Sequence, residues 1–287
     1  DPHFPFGPPE PYCSSYRPHE MPDPIAWDDD RKKMNELYHA EYYRDRGETS
    51  IDGGPCEYTL EQVKETKALA WGMVRHVDDC IGKVMDFLEH SGKLENTVVI
   101  FLADHGELMG DHGMYCKGPF HYEGLLHIPM VISWPGHFKQ NGRTKALVSI
   151  LDFMPTILEL AEIPYPDGPV KPWEGPFEGK QLYSESPLPG KSLIPLLTGK
   201  EERVQESILV EDDDDIRKVF LRTLITEDYK ITIYSDRTYG ELFDRRNDPE
   251  ERHNLWDEED KKEIKQEMLW KLTQKMLARQ NRTSRRI

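Results

Sequence analysis

The apolar run Val98-Val99-Ile100-Phe101-Leu102 most limits how this chain can fold. An unbroken apolar run does not suit a strand with one wet face. It suits a strand covered on both faces, as in a parallel sheet. The stretch before it has a different period. Val63, Leu69, Trp71, Val74, Val77, Ile81, Val84, Met85 and Leu88 recur mostly every three or four positions, which predicts a helix. Thr59 with Gln62 three positions later fits a capping box at its start, and Gly92 fits its stop. A long amphipathic helix followed by a buried strand predicts an α/β fold.

Other elements follow from similar signals. Pro129 to Trp134 predicts a second strand, and Ala146 to Leu151 a short strand or an extended entry to a helix. That helix runs from Asp152 to Ala161, with Pro155 in its first turn. Residues 163–191 are rich in Pro and Gly, lack periodicity and predict a loop or crossing. Three β-rich runs come next, SILVED, VFLRTLIT and YKITIYSD, and predict an antiparallel sheet. Asp257 to Arg279 predicts a closing helix, and the acidic run Glu211 to Asp215 a solvated turn. Residues 1–30, rich in Pro and aromatics, predict an irregular segment. The opening Asp1-Pro2-His3 has no leader character and suggests the interior of a longer protein.

Charge narrows the function. The 287 residues carry a formal net charge of −16. Nucleic-acid binding through a basic surface is excluded, because phosphate contacts need clustered Lys and Arg. No run of about 18 apolar residues offers a membrane span. Cys13, Cys56, Cys80 and Cys116 fit neither a CxxC metal site nor a dense disulfide framework. An acidic chain that handles an anion must supply positive charge locally, by a metal or a few placed cations.

The segment with the most chemistry is residues 103–118, ADHGELMGDHGMYCKG. It begins where the buried strand ends, the edge at which open α/β sheets bind ligands. Asp104 beside His105 is either a metal-binding pair or a strand-end turn former with a surface imidazole; spacing alone leaves both open. Lys117 follows beyond a glycine-punctuated loop and is placed to return to the same spot. A metal with a lysine is a suitable way to neutralise a tetrahedral oxyanion.

The stretch Asp104 to Gly118, followed by Phe120, Tyr122, Glu123 and Trp134-Pro135-Gly136, resembles the C-terminal half of the sulfatases of the alkaline phosphatase superfamily. Further matches keep the family's order: Pro2-His3-Phe4-Pro5, the helix HVDDCIGKVMDFLEHSG, Asn96-Thr97 and Asp152-Phe153-Met154-Pro155-Thr156. Then come Gly190-Lys191-Ser192-Leu193, Glu241-Leu242-Phe243-Asp244, Asp248-Pro249-Glu250 and Asn254-Leu255. The resemblance implies that residues 1–165 are the C-terminal part of the large α/β domain, with its mixed or parallel sheet and flanking helices. It implies that 166–191 form a crossing, and that 192–287 form a small β-rich subdomain.

It implies, too, that Asp104 and His105 are two ligands of a divalent cation, Ca²⁺ by default, with Mn²⁺ suited by the imidazole. Lys117 and His3 would be the catalytic and substrate-binding pair. Lys117 would contact the sulfate oxygens, and His3 would protonate the departing alcohol. His112 would support the site from behind rather than ligate. The family's formylglycine nucleophile and its first metal-binding aspartates have no counterpart here, and the resemblance places them in an upstream half, a needed partner. Cys13-Ser14-Ser15-Tyr16-Arg17 lacks the Pro and second Ser of the nucleophile motif, so Cys13 is incidental. The implied activity is hydrolysis of a sulfate ester, with a sulfated carbohydrate as a candidate substrate, in a periplasmic or extracellular setting. Trp173, Phe177 and Tyr183 either border a sugar-binding cleft or anchor the loop by packing, and packing is the favoured reading. Phosphonate or phosphate ester hydrolysis is the alternative within the superfamily, and a non-catalytic interaction fragment the alternative outside it.

Overall fold

The computed structural model describes residues 2–27, 59–114, 117–163, 189–215 and 218–280. Tyr38, Tyr42, Tyr43, Cys56, Cys116, the aromatics Trp173, Phe177 and Tyr183, and the bulk of the 163–191 loop lie outside them. The chain forms two compact units, Asp1–Gly136 and His137–Ile287.

In the first unit, helix α1 spans Leu60–His90. Thr59 accepts the Gln62 N–H, and the Gln62 side chain accepts the Thr59 N–H, closing the expected capping box. Ser91 and Gly92 end the helix, the glycine at φ +66°. Residues 2–27 are irregular apart from a 3-10 turn at Pro18–Glu20. They are strapped to α1: the Tyr12 hydroxyl donates to Asp79 at 2.9 Å, and the Tyr12 ring stacks on His76.

Strand β1 (Val99–Leu102) lies where the apolar run predicts it. Its partner is β2 (Met130–Ser133), beyond the short helix α2 (Glu123–Leu126). The pair is antiparallel, with Ile100 opposite Ile132. That departs from the parallel neighbour inferred from the run. The connection lacks the long crossover helix that a parallel pair needs, so the chain simply returns. Phe101 is 40% exposed and Val131 58%, so among the described residues the two strands are not covered on both faces.

In the second unit, helix α3 (Phe153–Leu160) follows the 3-10 turn Ile150–Asp152, and 146–149 are an extended entry rather than a strand. Asp152 is a hub. Its carboxylate accepts the N–H groups of Ser149 (2.8 Å) and Lys191 (2.7 Å) and the Gln205 amide (2.8 Å). Burial, the largest influence, raises its pKa against those bonds. Thr156 accepts the Leu193 N–H at 2.9 Å, ahead of helix α4 (Ile194–Leu197). Two motifs almost forty residues apart are thus one clasp. Gly190 completes it, because any Cβ there would overlap the Leu151 carbonyl. Gly190→Ala should therefore cost on the order of 3 kcal/mol, since backbone must move to admit the methyl. Denaturant unfolding measures this, and a loss within experimental error would mean the clasp is loose.

Strands β3 (Ile208–Asp214), β4 (Val219–Ile225), β5 (Tyr229–Tyr234) and β6 (Gly240–Asp244) form an antiparallel meander. Leu209, Leu224, Ile231 and Leu242 on one face pack against Met268 and Leu272 of helix α5 (Lys262–Gln280). The sheet has four strands, where the sequence predicts three. The acidic run is not a solvated turn either: through Asp214 it belongs to β3. Arg222, opposite Glu211 in register, pairs with Glu211 (3.2 Å) and Asp213 (2.7 Å) and offsets the charge. Among the described residues, no helix is long and apolar enough to cross a membrane.

Candidate active site

The loop after β1 carries Asp104 and His105 and is fixed at several points. Gly106 N–H donates to Leu125 O (2.8 Å) and Glu107 N–H to Gly124 O (3.1 Å), so the loop pairs with α2. Gly106 must be glycine, because a Cβ would overlap the Gly124 carbonyl. Leu108, Met114, Phe120 and Leu125 form a small buried cluster. Asp111 accepts the Ile25 N–H at 2.9 Å, and His112 N–H donates to Ile25 O at 2.7 Å. Lys67 of α1 lies 3.7 Å from Asp111. Burial dominates both partners, lowering the Lys67 pKa and raising that of Asp111.

His112 is buried at φ +55° with its ring stacked on Tyr122, 3.9 Å between centroids. Met109 also lies in the left-handed region, at φ +45°. Two non-glycine residues in that region mark a loop whose shape its surroundings impose. Sequence reasoning singled out His112 and missed its neighbour Asp111 and the clasp on Ile25. It also missed Lys67, which follows Val63 by four on a helix face otherwise apolar. A charge on that stripe was the available signal.

On this frame Asp104, His105, Lys117 and His3 come together. Asp104 Oδ1 accepts its neighbour's N–H at 3.0 Å. That hydrogen bond is the main reason its carboxyl titrates below the usual range, with His105 and Lys117 adding to the effect. The side chain is 89% exposed, and Oδ2 lies 3.7 Å from His105 Nε2. His105 Nδ1 is 2.7 Å from the Gly106 carbonyl. Only an N–H can make that bond, so Nδ1 carries a proton, and in the neutral ring the lone pair is on Nε2. Lys117 Nζ points at this lone pair from 3.1 Å. His3 repeats the pattern: Nδ1 donates to Phe4 O (2.7 Å), and Nε2 lies 3.4 Å from Lys117 Nζ.

The donor set fits a cation. A carboxylate oxygen and an imidazole lone pair stand side by side, and an ammonium group already faces the lone pair. Among the described residues no group of three or more His, Cys, Asp or Glu could hold a metal ion. Cys13 does not join the cluster. A hydrogen bond to Glu10 raises its thiol pKa, the reverse of an activated nucleophile.

A family model described as Sulfatase matches residues 1–163. The chain belongs to the sulfatase family. A second model, described as N-sulphoglucosamine sulphohydrolase, C-terminal, matches residues 181–278 of the chain. An arylsulfatase of Clostridium perfringens is 29% identical over 265 residues, covering 91% of this chain and 49% of that protein. The chain thus spans about half the length of this curated relative. Among solved structures, a phosphonate monoester hydrolase of Agrobacterium radiobacter superposes with a TM-score of 0.77 at 23% identity, covering 96% of this chain and 55% of that one. At that identity the likeness is one of fold, and it gives the α/β sulfatase-like architecture. A 2-O GAG sulfatase superposes with a TM-score of 0.64 at 25% identity, covering 77% and 45%. Family membership implies a divalent metal and formylglycine.

Proposed function

We propose that the protein carrying this chain hydrolyses sulfate esters, and that His3, Asp104, His105 and Lys117 are this chain's share of the active centre. The observation that carries the reading is the single cluster in which Lys117 Nζ reaches both His105 Nε2 (3.1 Å) and His3 Nε2 (3.4 Å) beside the Asp104 carboxylate. In a chain of net charge −16, such a site brings the Lys117 ammonium and two imidazoles to where an anion must bind.

Asp104 and His105 would hold the metal, with Ca²⁺ our assignment and Mn²⁺ a good fit to the imidazole. A cation held by these two residues would supply Lewis-acid polarisation of a sulfate oxygen. The formylglycine that the family implies would supply the nucleophile from outside this chain. Lys117 binds the sulfate oxygens and stabilises charge that grows on them. His3 keeps one proton on Nδ1 through Phe4 O, so a second proton on Nε2 makes an imidazolium. That proton passes to the leaving oxygen. Asp111 and His112, clasped to Ile25, hold the loop so that Asp104 and His105 face one point.

The substrate class we favour is a sulfated carbohydrate. The match of residues 181–278 to a sulphoglucosamine sulphohydrolase model and the likeness to a GAG sulfatase support it. The decisive experiment compares turnover of an aryl sulfate, an aryl phosphonate and an aryl phosphate by the complete protein. The sulfate should be turned over with the highest kcat/KM. A higher value for the phosphonate would replace this reading with the other ester.

A further inference from the structure

Lys67 is buried on α1 and takes no part in the proposed chemistry. Its ammonium lies 3.7 Å from Asp111 Oδ1, the same oxygen that accepts the Ile25 N–H at 2.9 Å. One carboxylate thus joins α1, the loop that carries Asp104 and His105, and the strap of residues 2–27 that holds His3. Val63, one turn before Lys67, seats the same loop: a Cβ on Gly110 would lie 2.8 Å from Val63 Cγ1 and from Pro24 Cγ. Between helix and loop lies a cavity of about 270 Å³, whose walls include Pro2, Lys67, Trp71, Val74, Glu107 and Asp111. Pro2 precedes His3, and Glu107 follows His105 by two. Both flanks of the site therefore border one stretch of α1.

We propose that Lys67 is a positioning residue: its ion pair with Asp111 fixes the metal-binding loop and the His3 strap to one helix, and so sets the reach of His3 to the leaving oxygen. The strap is irregular apart from one 3-10 turn, so it cannot hold that spacing by itself. A helix can, because its backbone is bonded within itself. Without the ammonium, Asp111 still accepts the Ile25 N–H, but the joined strap and loop lose their charged tie to α1. Proton transfer from His3 needs hydrogen-bond reach of the leaving oxygen. A shift of the strap is then felt most where the leaving group most needs its proton. The inference rests on His3 as the acid in the function proposed above.

The experiment measures kcat/KM of the complete protein on 4-nitrophenyl sulfate and on phenyl sulfate. Phenyl sulfate has the more basic leaving group and depends more on the acid. Lys67→Met should lose more on phenyl sulfate than on 4-nitrophenyl sulfate, by about tenfold. The double variant Lys67→Met/Asp111→Asn should regain melting temperature, because no buried carboxylate then lacks its cation. It should keep the difference between the substrates, which separates positioning from stability. His3→Ala should show that difference at its largest. Equal losses on both substrates in both Lys67 variants, with His3→Ala still selective, are what a merely structural lysine gives, and they overturn this proposal alone. Equal losses in His3→Ala overturn the acid assignment, and the proposal with it.

Discussion

Asp104→Ala should strip the metal from the complete protein and cut aryl sulfate turnover on the order of a thousandfold, the scale at which losing an electrostatic element of an anion site is felt. The expected loss is chemical rather than structural. The Asp104 side chain is 89% exposed, and its Oδ1 accepts its own neighbour's N–H. The melting temperature should therefore stay within about a degree or two, as for a surface substitution away from packing. Asp104→Asn should fall between, since an amide oxygen can still ligate but brings no charge. The checks are elemental analysis of metal per protein and kcat/KM on the same samples. Unchanged metal content in the Ala variant would sink the ligand assignment, whatever happened to the rate.

The separation between frame and chemistry explains what the sequence made legible. Local signals did well where one segment decides its own structure. The Thr59–Gln62 box, the Gly92 stop and the α5 helix needed no tertiary information. Signals failed where a distant partner decides. The run at Val98 to Leu102 tells that a strand is apolar, not that its neighbour runs antiparallel. The acids of β3 look like a solvated turn until Arg222 appears opposite Glu211. Strand β6 was overlooked as a strand because Glu241 sits in it, yet Glu241 is buried and accepts from the Tyr234 hydroxyl at 3.0 Å. The strand edge pointed to Asp104, His105 and Lys117, but His3 and the roles of all four were legible only through resemblance. His3 and Lys117 are 114 positions apart, and no periodicity connects them. Lys67 and Asp111, which help fix the loop, were missed because neither belongs to a ligand pattern.

Lys230→Met should destabilise the second unit by about 3–5 kcal/mol, because it removes the ion-pair partner of a buried carboxylate. Lys230 lies on β5 with its side chain 1% exposed, and its ion-pair partner Glu251 is equally buried. Phe243 lines the same spot, its ring centre 5.6 Å from the ammonium. Glu251 is delivered by a strained turn. Its φ is +57°, and its N–H donates to Asp248 O at 3.0 Å. The residues after it lock β6, where Asn254 Oδ1 accepts the Leu242 N–H at 2.9 Å. One ion pair thus ties the Asp248 turn to the middle of the sheet. Removing the ammonium takes the ion-pair partner from a buried carboxylate, which draws water toward the turn and pulls on β6. The double variant Lys230→Met/Glu251→Leu removes both charges and keeps the volume. It should recover most of the loss, because two apolar groups of the right size can replace a buried pair at little cost. Denaturant unfolding of the three proteins gives the answer. A single-variant loss below about 1 kcal/mol is the value for an exposed pair, and it would show that water reaches Glu251 in solution and that the pair does not hold the turn.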